Sequence, residues 1–236
     1  MKTRLPGSAL AALTFITLLW LLALLGQTFD LPLYRLGIYP QTLAGLRGIL
    51  FAPLIHGSWG HLLSNSFALL VLLTALLYGY PNSARPALLL IWLGSGLGVW
   101  LLARPSYHIG ASGLTHGIMF YIFTSGILRQ DRPSIALALI VFLMYGGMVW
   151  TIFPQQPDIS YESHFFGAGC GVLAALLFAR REPRPPEKHY DWEDEDTDEP
   201  EDGDTAADED ADHPDAPDNS GHQLHHASLE NRAADR

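Results

Sequence analysis

Gly110-Ala111-Ser112-Gly113 stands where the polar stretch Arg104-Pro105-Ser106-Tyr107-His108 runs into an apolar segment that continues through Met119, Phe120 and Ile127. A hydroxyl is thereby placed at the mouth of a membrane helix. Small neighbours leave its oxygen approachable, and a helix start offers unpaired backbone N–H groups and the positive end of the helix dipole. That setting suits a nucleophile, but small-residue clusters in membrane helices also serve as packing surfaces, so the rest of the chain has to decide.

The average composition, 49% apolar with a formal net charge of -10, hides two different polymers. From Glu187 to Arg236 there are 19 Asp/Glu against Lys188, Arg232 and Arg236, a net of -16, and almost no large apolar residues. Residues 1–186 carry 11 Lys/Arg against 5 Asp/Glu, a net of +6, and hold all the long apolar runs. Only the first polymer can form a core. The expected organisation is therefore a membrane domain over 1–186 and a disordered acidic tail over 187–236. Cys170 stands alone, so no disulfide framework is possible within the chain. The N-terminal run Ala9 to Leu25 behind Lys2 and Arg4 is too long for a typical signal-peptide core and is read as a retained span.

Apolar segments at about 8–26, 61–80, 86–103, 112–128, 134–152 and 163–179 predict six spanning helices, an all-α membrane protein. The long link from Gln27 to Gly60 contains Leu33-Tyr34, Leu46, Ile49-Leu50-Phe51 and Trp59, which predicts a partly embedded or interfacial structure. Threading six spans puts Lys2, Arg4, Arg85, Arg129, Arg132, Arg180, Arg181, Arg184 and Lys188 on one side, against Arg35, Arg47 and Arg104 on the other. That asymmetry predicts both termini in the cytoplasm. His213, His222, His225 and His226 in the tail are explained by disordered polar sequence at least as well as by metal binding.

Polar residues inside membrane helices are costly and mark function, so their depth matters. With the N-terminus inside, the second, fourth and sixth spans all begin at the outer face. They begin with His61-Leu62-Leu63-Ser64-Asn65, with Ser112 and with His164. His61 and Asn65, four apart, share a helix face, and His164 shares a stripe with Gly167 and Gly171. Gly113 and Gly117 form the matching small-xxx-small pair, so the fourth and sixth helices can pack with Ser112 beside His164. In such a pair the imidazole takes the serine proton during attack on a carbonyl and returns it to the leaving amine. His61, Asn65 and the Ser112 N–H would surround the oxyanion.

Three motifs, His56-x4-His61-x3-Asn65, Gly110-Ala111-Ser112-Gly113 and His164-x2-Gly167-x3-Gly171, come in this order on a six-helix plan. In this the chain resembles the rhomboid intramembrane serine proteases over roughly residues 5 to 182. The resemblance implies Ser112 as nucleophile, His164 as general base in a dyad without an acidic third member, and His61 and Asn65 as oxyanion-hole side chains. It also implies that His56 helps to hold the first loop. Two departures stand out. At His116, where many members have an aromatic residue that stacks on the catalytic histidine, another imidazole is present, able to stack or to compete as the base. The Trp-Arg pair that some members carry in the first loop is missing; Leu46-Arg47 lies nearby.

The expected activity is hydrolysis of transmembrane segments of other membrane proteins near the outer leaflet, with no metal or organic cofactor and no nucleic-acid partner. Short loops favour a bacterial inner-membrane location. The fifth helix and its adjacent loops, including Pro154-Gln155-Gln156-Pro157, are expected to form a lateral gate. Two other classes remain open: a non-catalytic relative that binds or chaperones membrane proteins, and a metal- or haem-binding membrane protein using His56, His61, His116 and His164. Glu162, two residues before His164, is expected to be a surface carboxylate, and His108 an interfacial residue without a role.

Overall fold

The computed structural model describes residues 4–154 and 160–183. The acidic tail and residues Gln155 to Pro157 of the expected gate lie outside the described residues. Eight α-helices follow one another among these residues: α1 (Arg4–Thr28), α2 (Leu43–Leu46), α3 (Gly48–Phe51), α4 (Trp59–Gly79), α5 (Ala84–Leu102), α6 (Ser112–Arg129), α7 (Arg132–Tyr145) and α8 (Tyr161–Phe178). Six are long and two are single turns in the first loop. The only β pairing among the described residues is one antiparallel bridge between Ile38 and His108.

Five of the long helices, α1, α4, α5, α7 with the turn that follows it, and α8, are long and apolar enough to cross a membrane. The sixth, α6, carries Thr115, His116, Thr124 and Ser125 and is less apolar. Its position supplies the reason. Eleven of its 18 residues are buried, whereas α7 buries only Ser134, Ala138 and Val141. A helix wrapped by protein need not match hydrocarbon, so the demand for apolar side chains falls on the helices around it.

α6 packs most extensively on α8, then on α7. The glycine spacing explains the closeness. A methyl group on Gly167 would collide with the carbonyl oxygen of Gly113, and one on Gly171 with that of Gly117. The two backbones are in contact along this seam, as the small-xxx-small reading anticipates.

The first loop folds as short helical turns against α5: Trp100 Nε1 donates to the Thr42 carbonyl (2.9 Å) and Trp92 Nε1 to that of Ile49 (3.1 Å). Leu43 is 86% exposed and Leu50 and Phe51 are also exposed, the surface expected of an interfacial segment.

At the opposite end from Ser112, a buried polar cluster fixes the end of α8. The Glu182 carboxylate accepts from Asn82 N (2.7 Å), Ser83 N (2.8 Å) and Ser83 Oγ (2.8 Å), and Tyr121 donates to Ser83 Oγ (2.7 Å). Arg129 donates to the carbonyls of Ala179 (3.0 Å) and Glu182 (2.8 Å) and pairs with Asp131 (2.7 Å). Every ion here has hydrogen-bonded partners, the condition for holding charge away from water.

Gly167→Ala and Gly171→Ala should each destabilise the bundle by about 1–3 kcal/mol, because backbone has to move to admit the methyl. Gly169, where an added methyl would meet nothing within 4 Å, is the control. Thermal unfolding in detergent should show lowered midpoints for the first two and an unchanged one for Gly169→Ala; equal effects of all three would remove the seam as the cause.

Candidate active site

Three helix starts meet at one end of the bundle. Ser58 caps α4 by accepting from His61 N (3.1 Å), and Ser160 caps α8 by accepting from Ser163 N (3.3 Å). α6 is different: Ala111 precedes it and no side chain caps it. The first N–H groups of α6, beginning with that of Ser112, are left for whatever occupies the site.

Ser112 is the first residue of α6, and its Oγ lies 2.9 Å from Nε2 of His164 on α8. His164 is 7% exposed. Its Nδ1 is 2.9 Å from the backbone carbonyl of Thr151. A carbonyl only accepts, so Nδ1 carries the proton, and Nε2 is left as the acceptor facing the serine hydroxyl. The tautomer follows from these partners. A backbone oxygen thus stands where a carboxylate would orient the imidazole of a triad.

His116 lies one turn beyond Ser112. Its ring stacks on that of His164, centroids 4.0 Å apart and planes 9° from parallel. Its nitrogens are engaged elsewhere, Nδ1 with the Ser112 carbonyl (2.7 Å) and Nε2 with Thr151 Oγ1 (2.8 Å). The geometry is that of a packing plate for His164.

On α4, Asn65 is 4% exposed and its Nδ2 is buried without a hydrogen-bond partner. An unpaired buried donor is expensive, which marks a place where an acceptor belongs. His61 lies against Gly110: a methyl group there would fall 2.7 Å from His61 Nε2, and Gly110 has φ of 109°, a conformation that favours glycine. His56 meets His61 edge-on with centroids 5.1 Å apart. Gly113 and Gly167 supply the close approach already described, with Gly171 one turn further on.

Two expectations are corrected here. Glu162 is not a surface carboxylate: it is 6% exposed and lies 3.5 Å from Arg104 Nε. Packing of the α8 start beneath the loop before Ser112 covers it, and the guanidinium compensates its charge. His108 is not interfacial but 1% exposed. Its backbone pairs with Ile38 in both directions (3.0 and 2.9 Å), its Nε2 lies 3.0 Å from the Arg104 carbonyl, and its Nδ1 lies 2.6 Å from Ser160 Oγ. One residue therefore joins the first loop, the Ser112 loop and the cap of α8. The sequence carries no sign of either role, nor of the one Thr151 plays, because a backbone carbonyl has no residue signature and burial depends on distant segments.

The Rhomboid domain family model matches residues 44–181 of the 236. The chain belongs to the rhomboid family. Among its relatives, an uncharacterised protein of Mycobacterium tuberculosis is 36% identical over 179 residues, covering 72% of this chain and 75% of that protein. An uncharacterised protein of Mycobacterium leprae is 31% identical over the same length, covering 72% and 71%. A Bacillus subtilis protein named "Putative rhomboid protease YdcA" is 26% identical over 190 residues, covering 72% of this chain and 90% of its own. This rhomboid is thus a multi-pass membrane protein, and membership supports intramembrane proteolysis at the level of the family.

The loop histidines make the fold sensitive to acid. Burial lowers His108 below its usual 6.5, and burial with the nearby His61 lowers His56 to about 4. Both bind a proton less readily in the fold than in the unfolded chain, which takes up protons near 6.5, so stability falls as pH drops below 6.5 and the loss is complete below the folded values. Thermal midpoints measured from pH 7 to pH 4 should decline, and His108→Gln should flatten part of that decline. An identical slope in the variant would remove His108 from the account.

Proposed function

We propose that this rhomboid is a serine endopeptidase that hydrolyses transmembrane segments of other membrane proteins through a Ser112–His164 dyad. The observation that carries the reading is the 2.9 Å contact between Ser112 Oγ and His164 Nε2, with Nδ1 held by the Thr151 carbonyl. His164 takes the proton as Ser112 Oγ attacks the scissile carbonyl. The oxyanion that forms is met by the uncapped N–H of Ser112, by Asn65 Nδ2 and by His61. His164 then protonates the leaving amine, and water repeats the cycle to release the acyl group. His116 keeps the imidazole in plane, and His56 supports His61 from the first loop.

The site lies at the end of the bundle where α4, α6 and α8 start, so a substrate helix has to unwind there. Segments weakened by Gly, Pro or small polar residues near that membrane face are the preferred substrates. The organisation proposed is a catalytic domain over 1–186 with a separate acidic tail over 187–236, both termini in the cytoplasm of a bacterial cell and the site at the outer face of the inner membrane. The metal-binding reading has no comparable support, since among the described residues no three His, Cys, Asp or Glu side chains converge as a ligand set, and for haem ligation the ring nitrogens of His116 and His164 are already engaged within the protein. A purely binding role leaves the Ser112–His164 contact and the unpaired Asn65 amide unexplained.

A serine-directed fluorophosphonate should label the wild type and fail to label Ser112→Ala or His164→Ala. Asn65→Ala should reduce kcat by about 100- to 1,000-fold, the usual cost of one oxyanion donor. Labelling that persists in Ser112→Ala would remove the serine assignment.

The gate belongs to the same proposal. α7 is mostly exposed, with Leu143 at 87%, and its end touches α4 where Tyr145 OH donates to the Phe67 carbonyl (3.3 Å). Movement of this exposed helix opens a lateral path to Ser112. Cysteines placed at positions 67 and 145 and joined by a short bifunctional thiol cross-linker should block cleavage of a transmembrane substrate while fluorophosphonate labelling continues; unchanged cleavage after cross-linking would exclude this gate.

A further inference from the structure

A cavity lies away from the Ser112–His164 pair. α1 packs on α4, while α5 packs on α8, α6 and α3. Between the α1–α4 pair and α5 there is a gap of about 490 Å³, within the usual size of a ligand pocket, ~300–1,000 Å³. Its α5 wall is the stripe Arg85, Leu88, Leu89 and Trp92, residues spaced i, i+3, i+4 and i+7 on one face. Leu73 and Leu77 of α4 form the opposite wall, and Phe15 of α1 meets Trp92 edge-on at 5.8 Å. The inner wall includes Leu114, two residues beyond Ser112.

Its chemistry narrows the occupant. The walls are apolar apart from Arg85, so water has too few partners to fill the space, and an empty gap of this size forfeits dispersion contacts. Hydrocarbon fits. Arg85 is in the first turn of α5, roughly 10 Å below Trp92 at the rise of an α-helix, and so at the membrane face opposite the site. It is exposed, and neither ion pair among the described residues involves it: Arg104 takes Glu162 and Arg129 takes Asp131. An apolar channel with an exposed cation at its rim near the headgroups matches an acyl chain bearing an anionic head.

We propose that the gap between α1, α4 and α5 is a binding site for one anionic phospholipid of the surrounding bilayer, its acyl chain lying along Leu88, Leu89 and Trp92 and its headgroup phosphate on Arg85. Because the chain end reaches Leu114, occupancy supports the start of α6 on the side away from α8. Zwitterionic lipid enters with the same chain but without the charge preference.

Trp92 is the reporter. Full-length protein is placed in phosphatidylcholine vesicles that contain, at equal mole fraction, either phosphatidylglycerol or phosphatidylcholine brominated on the acyl chain, and tryptophan quenching is compared. One basic residue near a membrane surface corresponds to about a fivefold preference for the anionic lipid. That preference should be kept in Arg85→Lys, lost in Arg85→Gln and invisible in Trp92→Phe, and soluble glycerol phosphate should not compete. Equal quenching by the two headgroups, an undiminished preference in Arg85→Gln, or the same preference in Trp92→Phe would overturn the site. Competition by glycerol phosphate would also overturn it, by showing a site for soluble phosphate rather than lipid.

Discussion

Backbone contact between α6 and α8 is the constraint on which the rest of this molecule depends. Gly113 and Gly117 face Gly167 and Gly171 so closely that a single methyl group would strike a carbonyl oxygen. In hydrocarbon there is no hydrophobic drive to bring two helices together, so such packing is the available source of attraction. It also sets depth and rotation at once. With the helices this near, side chains at the start of each can touch, and the Ser112–His164 contact is the outcome.

Both ends of the seam are secured by polar groups. At one end His108 ties the loop before Ser112 to the Ser160 cap of α8 and, through Ile38, to the first loop. At the other, Glu182 and Arg129 bind the end of α8 to the α4–α5 turn and to α6. Away from water each of these groups would be costly if left alone, so each partner present raises the penalty for displacing α8. The small residues permit the approach and the buried hydrogen bonds limit its freedom. α7 buries only three residues, and its N-cap Asp131 joins the same cluster through Arg129.

The geometry around His164 shows how orientation is achieved without a carboxylate. The Thr151 carbonyl selects the tautomer, and His116 occupies one face of the ring while its own nitrogens are held by Ser112 and Thr151. Thr151 serves both rings, one through its backbone and the other through its hydroxyl. A backbone carbonyl thus orients the imidazole, while the one buried carboxylate nearby, Glu162 at the start of the same helix, is paired with Arg104.

Much of this was legible in the residues alone. The six helices, the level shared by His61, Asn65, Ser112 and His164, and the two glycine stripes follow from hydropathy and from the 3.6-residue period, both of which are local properties. The resemblance to the rhomboid family followed from the same motifs. Tertiary structure decided what depends on distant neighbours: the Thr151 carbonyl behind His164, the burial of His108 and Glu162, the enclosure of α6 and the gap beside Arg85. Carbonyl oxygens are the same in every residue, and burial is a sum over segments far apart in the chain, so neither leaves a mark that spacing or composition can carry.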